Sequence, residues 1–186
     1  MIPSLVSPAM SIHLIPFLTD RGIDPLKAAG MMAIMVGTSI PCRFVGGFIA
    51  DRISLGHLPL LIGGAYLFQA AGIATFLLHP TMGMIYVWFV LYGIGNGVMN
   101  VPVTVLKARY FGRKAFGSIL GMSSLFATPV GILAPVYVGW VYDTTGSYMS
   151  SFTFLAGLLA FTGVVFPLVI RRPKPPTQVT DIHKIV

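Results

Sequence analysis

The sequence predicts an all-α protein, a bundle of six helices that cross a membrane. Hydrophobic residues make up 55% of the 186 residues and charged residues only 9%, whereas soluble domains carry about 25% charged residues. The charges are concentrated between long uncharged runs. A helix needs about 20 mostly apolar residues to cross a hydrocarbon core of roughly 30 Å. Together these observations exclude a soluble globular domain.

Charged and turn residues divide the chain into its predicted elements. A charged segment, Asp20 to Lys27, separates the first two spans, and His79-Pro80-Thr81 splits the longest uncharged run in two. The predicted helices form one transmembrane domain over residues 1–170 and cover residues 1–19, 28–50, 58–79, 82–106, 115–142 and 147–170. Residues 171–186 are polar and proline-rich, which predicts an extended tail.

The distribution of basic residues predicts the orientation, because cytoplasmic loops of membrane proteins carry an excess of Lys and Arg. Six crossings place two basic residues, Arg21 and Lys27, on one side. They place nine on the other side: Arg52, Lys107, Arg109, Arg113, Lys114, Arg171, Arg172, Lys174 and Lys184. We therefore expect an integral protein of the cell membrane with both termini, the tail and the loops at 51–57 and 107–114 in the cytoplasm. The net charge of +7 then reflects contact with the lipid bilayer, and nucleic acid is not an expected partner.

Small residues form stripes on two of the predicted helices. Helices in lipid associate through such residues because they allow the backbones to approach closely. One helix has Gly93 and Gly97 on the same face. The 115–142 helix has a longer stripe at steps of three and four: Gly117, Gly121, Ser124, Thr128, Gly131, Pro135 and Gly139. The glycines predict helix packing, and the alternative is a face that lines a pathway.

Three polar residues, Asn96, Asn100 and Thr104, follow one another at steps of four on the 82–106 helix. Amide groups that face lipid without partners are costly. We therefore expect Asn96 and Asn100 to line a polar pathway, and Thr128 on the 115–142 helix joins this candidate substrate-binding set.

Arg43 is the charge inside a predicted span. It lies eight residues before Asp51, about 12 Å along a helix at ~1.5 Å per residue, and so close to the middle of the bilayer. An arginine there costs about 2.5–3.5 kcal/mol on insertion scales and usually has a function. Ser39 and Gly47 share its helix face. The planar guanidinium suits a carboxylate, and no acidic residue lies within the spans. The ligand would be an anion or an acid on a partner; alternatively, Arg43 reaches the interface or binds carbonyl groups.

Enzymatic chemistry is not expected. The chain has no glutamate, its single cysteine, Cys42, has no nearby histidine, and its four histidines are scattered. Neither a metal cluster nor a nucleophile with its base can be assembled from this set. We expect no metal site and no cofactor.

Three motifs resemble the C-terminal half of a major facilitator superfamily transporter. Gly47-Phe48-Ile49-Ala50-Asp51-Arg52 is similar to the signature G-x-x-x-D-R between helices 8 and 9. Tyr110-Phe111-Gly112 with Phe116-Gly117 resembles the start of helix 11, and residues 139–148, from Gly139 to Tyr148, resemble its end, G-x-x-x-D-x-T-G-S-Y. The resemblance implies a twelve-helix fold of two halves, of which this chain supplies helices 7–12 and a missing N-terminal six-helix half is the partner.

Within that superfamily the chain is most similar to monocarboxylate transporters and oxalate/formate antiporters, which place an arginine on helix 8. The resemblance implies that Arg43 binds a substrate carboxylate, with Gly47, Asp51 and Arg52 in a gating loop. Ser39, which joins Arg43 in the candidate substrate-binding set, stands where the monocarboxylate branch often has an aspartate, and this departure argues against proton coupling at this position. The 115–142 span lacks the lysine of the oxalate branch. A monoanion is therefore the better expectation than a dianion.

The expected function is secondary active transport of a small organic anion, a monocarboxylate, by alternating access. Asp51 and Arg52 would stabilise one state by pairing across the cytoplasmic interface. Six helices alone leave one side of a pathway unlined. The alternatives are a non-transporting fragment, a membrane subunit or sensor, and a facilitator-type carrier of another small solute.

Overall fold

The computed structural model describes residues 2–79 and 81–170, and the predicted tail at 171–186 lies outside them. The described residues form six helices and no strand, which confirms the all-α prediction. The helices are α1 (Ile2–Thr19), α2 (Pro25–Arg52), α3 (Leu58–Leu78), α4 (Met82–Gly112), α5 (Ala115–Thr145) and α6 (Met149–Val169). Five of them, α2 to α6, are long and apolar enough to cross a membrane. The first helix contributes a shorter apolar stretch, Leu5–Thr19, than the other predicted spans.

Two helices extend beyond their predicted bounds for identifiable reasons. α2 begins at Pro25 because the Asp24 carboxylate caps it, accepting hydrogen bonds from the backbone N–H groups of Leu26 (3.0 Å) and Lys27 (3.3 Å). Proline is also favoured in the first helical turn. α5 continues to Thr145 and ends at Gly146, whose φ of 67° is the left-handed conformation typical of a glycine that terminates a helix.

The prediction of a loop over residues 107–114 was wrong, because α4 continues into this segment as far as Gly112. The helical direction changes at Gly112 alone, with φ 71° and ψ 169°. Non-glycine residues rarely adopt this conformation. Lys107 and Arg109 therefore lie in the last turns of α4, and only residues 113 and 114 separate α4 from α5.

Close backbone approach at glycines holds α2, α3, α4 and α6 together. A Cβ at Gly93 would lie 2.5 Å from the backbone oxygen of Met35, and one at Gly97 would overlap that of Ser39, so α4 packs directly on α2. On the other side of α4, Gly95 meets the backbone of Ala65 in α3. α3 in turn meets α6 at Gly63, where a Cβ would lie 2.5 Å from the Gly163 oxygen. These are the contacts of small residues that drive helix association in lipid.

An aromatic cluster closes one end of the bundle. Phe17 of α1 contacts Phe76 of α3 and Phe152 of α6 edge to face, with centroid distances of 5.3 and 4.9 Å, and Phe76 stacks on Trp88 of α4 at 5.2 Å. These side chains are buried. We call this the Asp20 end, because the α1–α2 connector lies there. The opposite end, with the α2–α3 connector and the junction of α4 and α5, is the Asp51 end.

The other described helices leave most of the surface of α2 and of α5 uncovered. Large apolar side chains are exposed on both helices, namely Ile34, Val36, Ile40, Phe44, Val45 and Phe48 on α2 and Met122, Leu125, Phe126, Ile132, Leu133 and Val136 on α5. α3, α4 and α6 are more deeply buried. The bundle therefore has an inner group of helices and two outer helices with large uncovered faces.

Candidate functional site

Arg43 lies in the body of α2, nine residues before its last residue, Arg52, and its side chain is exposed. Within residues 2–79 and 81–170, no hydrogen bond, ion pair or aromatic ring contact is made by its guanidinium. All four acidic residues of these ranges, Asp20, Asp24, Asp51 and Asp143, lie in connectors or at helix ends. The cation thus projects from an apolar helix with its donors unpaired in this part of the protein.

The small residues near Arg43 pack on α4 rather than surround the guanidinium. Ser39 is only 5% exposed, and its hydroxyl donates to the Val36 backbone oxygen at 2.7 Å. Gly46 faces the backbone of Val98, and Gly47 faces the Val101 side chain, since a Cβ placed at Gly47 would lie 3.4 Å from the nearest Val101 methyl group. Ser39 therefore presents its hydroxyl to its own helix, not to an open face, and the open space around Arg43 comes from the lack of a neighbouring helix.

Asn96 and Asn100 form a ladder on α4. The Asn100 amide donates to the Asn96 backbone oxygen at 2.9 Å and lies 3.4 Å from its side-chain oxygen. Thr104 continues the ladder by donating to the Asn100 backbone oxygen at 3.3 Å. Asn100 and Thr104 line a cavity of about 550 Å³, which Arg43 does not line. No described hydrogen bond joins this ladder to Arg43.

The stripe on α5 has an open part and a packed part. No heavy atom of the described chain lies within 4 Å of a Cβ placed at Gly117 or Gly121. At these two positions the expected packing is not made by the six helices described. Thr128 is exposed and donates to the Ser124 backbone oxygen at 2.9 Å. Gly131 is partly buried, and a Cβ placed at Gly139 would lie 3.5 Å from the His13 ring.

At the Asp51 end, the proposed gating residues have no ion-pair partner in the described chain. Asp51 is exposed and forms no hydrogen bond within the described ranges, whereas Arg52 places its guanidinium 3.4 Å from the centroid of the Phe48 ring. Arg109 donates to the Ile53 backbone oxygen at 3.1 Å. This bond fixes the end of α4 against the α2–α3 connector and leaves the Asp51 carboxylate available for a partner outside these helices.

Sequence reasoning missed a set of polar contacts at the Asp20 end. The Tyr142 hydroxyl donates to the Asp20 carboxylate at 2.6 Å, and the Tyr142 ring stacks on Tyr148 at 4.1 Å. Arg21 lies 4.7 Å from the Phe17 ring centroid and 4.8 Å from that of Phe76. The signal was the adjacency of a charged connector to aromatic helix ends, but spacing alone does not show that residues 122 positions apart meet.

Two groups in these connectors have shifted pKa values. Burial against the aromatic cluster lowers the pKa of Arg21 from its ordinary value. Burial, followed by the nearby charges of Asp20 and Asp143, raises the pKa of the Tyr148 phenol. Tyr148 thus stays neutral near pH 7.

His13 joins α1 to α5. Its Nε2 donates to the Pro135 backbone oxygen at 2.8 Å, and its ring lies 5.7 Å from that of Tyr148. Together with the Tyr142 hydrogen bond, this contact attaches the half of α5 nearest the Asp20 end to the rest of the bundle. The position explains His13 as a residue that supports packing.

The described residues form six helices, five of them long and apolar enough to cross a membrane, which indicates an integral membrane protein. The family can be stated as well: the chain belongs to the Major Facilitator Superfamily, whose family model matches residues 3–184. This is a family of transporters and not of enzymes. In the described residues, no group of three or more His, Cys, Asp or Glu side chains could hold a metal ion.

Relatives agree with this membership. Monocarboxylate transporter 12-B of Danio rerio is 27% identical over 185 residues, which are 94% of this chain and 38% of that protein. The uncharacterized transporter YycB of Bacillus subtilis is 25% identical over 148 residues, 78% of this chain and 36% of its own length. The nitrite extrusion protein of the same organism is 28% identical over 175 residues, 91% and 43% respectively. The chain thus spans less than half the length of these relatives.

Proposed function

We propose that this chain forms one half of a secondary transporter for small organic monoanions, and that Arg43 binds the carboxylate of a monocarboxylate substrate. The observation that carries the proposal is the unpaired guanidinium of Arg43 in the body of an apolar helix. A charge in a spanning helix normally faces a bundle interior or a wet cavity. A second set of helices over α2 would create such a cavity.

The uncovered faces of α2 and α5 support a six-helix partner. Both helices expose rows of large apolar residues together with polar ones, Arg43 on α2 and Thr128 on α5. A face of this composition suits the wall of a polar pathway between two bundles better than a face that contacts only lipid. The relatives are more than twice as long as the matched region, which leaves room for the second bundle.

The chemistry of Arg43 favours a monoanion. A guanidinium presents a fork of donors that matches the two oxygens of a carboxylate. On α2 and α5, Arg43 is the cation that lies within the spanning segment, away from the helix ends. One fixed cation balances one negative charge. Two relatives are named for anions of a single charge, monocarboxylate and nitrite, whereas a third, the putative tartrate transporter of Agrobacterium vitis, is named for a dicarboxylate.

Transport would proceed by rocking of the two halves about the site, exposing Arg43 to each side in turn. Asp51 would pair across the interface at the Asp51 end and stabilise one of the two states. The positive-inside bias assigns this end to the cytoplasm. Asn96, Asn100 and Thr128 remain candidates for contact with a substrate during this movement.

The test is uptake of radiolabelled lactate into cells that produce the protein, comparing the wild type with Arg43→Lys and Arg43→Gln. Hydrogen bonds to charged groups contribute about 1.5–3 kcal/mol, so either variant should lower uptake at low substrate concentration by roughly 10- to 100-fold. Lys27→Gln removes an equal charge from the exposed first turn of α2 and is the matched control. Membrane insertion should be equal in all four proteins. Full lactate uptake by Arg43→Gln would refute the substrate role.

A further inference from the structure

A cavity of about 550 Å³ lies between α3, α4 and α6, apart from Arg43. This volume is typical of ligand pockets, which span roughly 300–1,000 Å³. Tyr66, Asn100, Thr104, Lys107 and Tyr110 contribute its polar groups. Most of the wall is apolar, formed by Met99, Val103, Leu106, Phe111, Phe166 and Ile170. The cavity is therefore amphipathic and suits a ligand with a polar end and a hydrocarbon portion.

Lys107 is the charged member of this lining. The donors of Asn100 and Thr104 are already used within α4, in the bonds to the Asn96 and Asn100 backbone oxygens. No residue that the structure describes pairs with the Lys107 ammonium. The Lys107 ammonium lines a mostly apolar cavity and has no described acidic partner, so it would attract an anion.

The position of Lys107 near the end of α4 favours a lipid headgroup as the anion. It lies five residues before the helix break at Gly112, about 7.5 Å at ~1.5 Å per residue. The same helix end carries Arg109, which is already bound to the Ile53 backbone oxygen. Basic pockets between helices at the cytoplasmic end of a bundle suit anionic lipid headgroups. The apolar wall runs from Lys107 toward Met99, deeper along the same helix, where an acyl chain would lie.

We propose that this cavity binds one anionic phospholipid. The phosphate pairs with Lys107, and an acyl chain packs against Met99, Val103 and Phe166. A small substrate carboxylate would leave the apolar wall unfilled, and Arg43 is not part of the lining. The lipid site shares Asn100 with the candidate substrate contacts, but it is separate from Arg43 and does not depend on carboxylate binding there.

The experiment is a titration of the purified protein in detergent with dioleoyl phosphatidylglycerol, followed by native mass spectrometry. Removing one basic residue near a membrane surface weakens anionic lipid binding about fivefold, which is the expected rise in the dissociation constant for Lys107→Gln. Lys27→Gln, on the opposite side of the bundle, should bind as the wild type does. Val103→Trp fills the apolar part of the cavity and should also weaken binding, while keeping the cation.

Two further probes separate a lipid site from a simple anion site. Dioleoyl phosphatidylcholine should bind at least about fivefold more weakly than phosphatidylglycerol, and millimolar inorganic phosphate should not displace the lipid. The proposal is overturned by equal affinity for the two lipids, by displacement with phosphate, or by wild-type affinity in Lys107→Gln. Arg43→Gln should leave phosphatidylglycerol binding unchanged even if it abolishes lactate uptake, so the two proposals fail independently.

Discussion

Tyr142 of α5 donates a hydrogen bond of 2.6 Å to Asp20, in the connector that joins α1 to α2. The two residues are 122 positions apart. With His13 and Pro135 they attach α5 at the Asp20 end, whereas Gly117 and Gly121, nearer the Asp51 end, touch no other described helix. α5 is therefore held to the bundle mainly through one of its ends.

Removing the Tyr142 hydroxyl should loosen this attachment. We expect Tyr142→Phe to lower the melting temperature of the purified protein, because the Asp20 carboxylate loses a short charge-assisted hydrogen bond. Tyr137→Phe is the matched control, since the Tyr137 ring contacts Trp140 and Phe154 but its hydroxyl has no described partner. Differential scanning fluorimetry measures both. Equal melting temperatures for the wild type and Tyr142→Phe would show that the bond does not stabilise the fold.

The contact of Gly97 with Ser39 should make α4 intolerant of a single methyl group. A Cβ at Gly97 overlaps the Ser39 backbone oxygen, and overpacking of this kind costs about 1–3 kcal/mol. Gly97→Ala should therefore reduce the free energy of unfolding by that amount. Gly121→Ala adds the same methyl group where no atom lies within 4 Å and should change stability little. Reversible unfolding in mixed detergent compares the two; equal losses would mean that the glycine contact does not limit the helix separation.

Asp51 should control the balance between the two transport states. It has no partner among the described helices, so the proposed ion pair lies across the interface with the second half. Asp51→Asn should slow lactate uptake and shift the protein toward the state that is open at the Asp51 end. Asp143→Asn neutralises an exposed aspartate at the opposite end and is the control. The populations can be followed by the reactivity of an introduced cysteine near Arg43. Unchanged uptake and unchanged populations in Asp51→Asn would contradict the gating role.

The orientation can be checked with an impermeant maleimide on intact cells. In a Cys42→Ala background, Ser147→Cys reports the Asp20 end and Ser54→Cys reports the Asp51 end. The positive-inside bias predicts labelling at position 147 before lysis and at position 54 only after lysis. The reverse pattern would place both termini outside the cell and would also remove the basis for a cytoplasmic lipid at Lys107.

The sequence was sufficient for the all-α class and for the number of helices in the described residues, because a bilayer requires long apolar runs and the connectors interrupt them. It placed Gly93 and Gly97 on a common face, and the structure puts that face on α2. The predicted end of α4 was wrong because a cluster of charged residues does not by itself indicate a loop. Lys107 and Arg109 are good helix formers, and the turn requires only Gly112.

The candidate site was less predictable. Helical spacing placed Ser39 and Arg43 on one face, but a face of that width includes both a packed edge and an open edge. Ser39 is at the packed edge and Arg43 at the open one. The cavity beside Lys107 and the bond between Asp20 and Tyr142 depend on which helices become neighbours, and periodicity within one helix does not contain that information.

The turn at Gly112 has a mechanical consequence. The chain leaves helical geometry at Gly112, and only residues 113 and 114 separate α4 from α5, so this connection can absorb little displacement of α5. A tilt of α5 about its attachment at the Asp20 end would move the end of α4, and the Arg109 guanidinium would pull on the Ile53 carbonyl beside Asp51. Ligand contact on the uncovered face of α5 and a conformational change at the Asp51 end would then be mechanically coupled through Gly112.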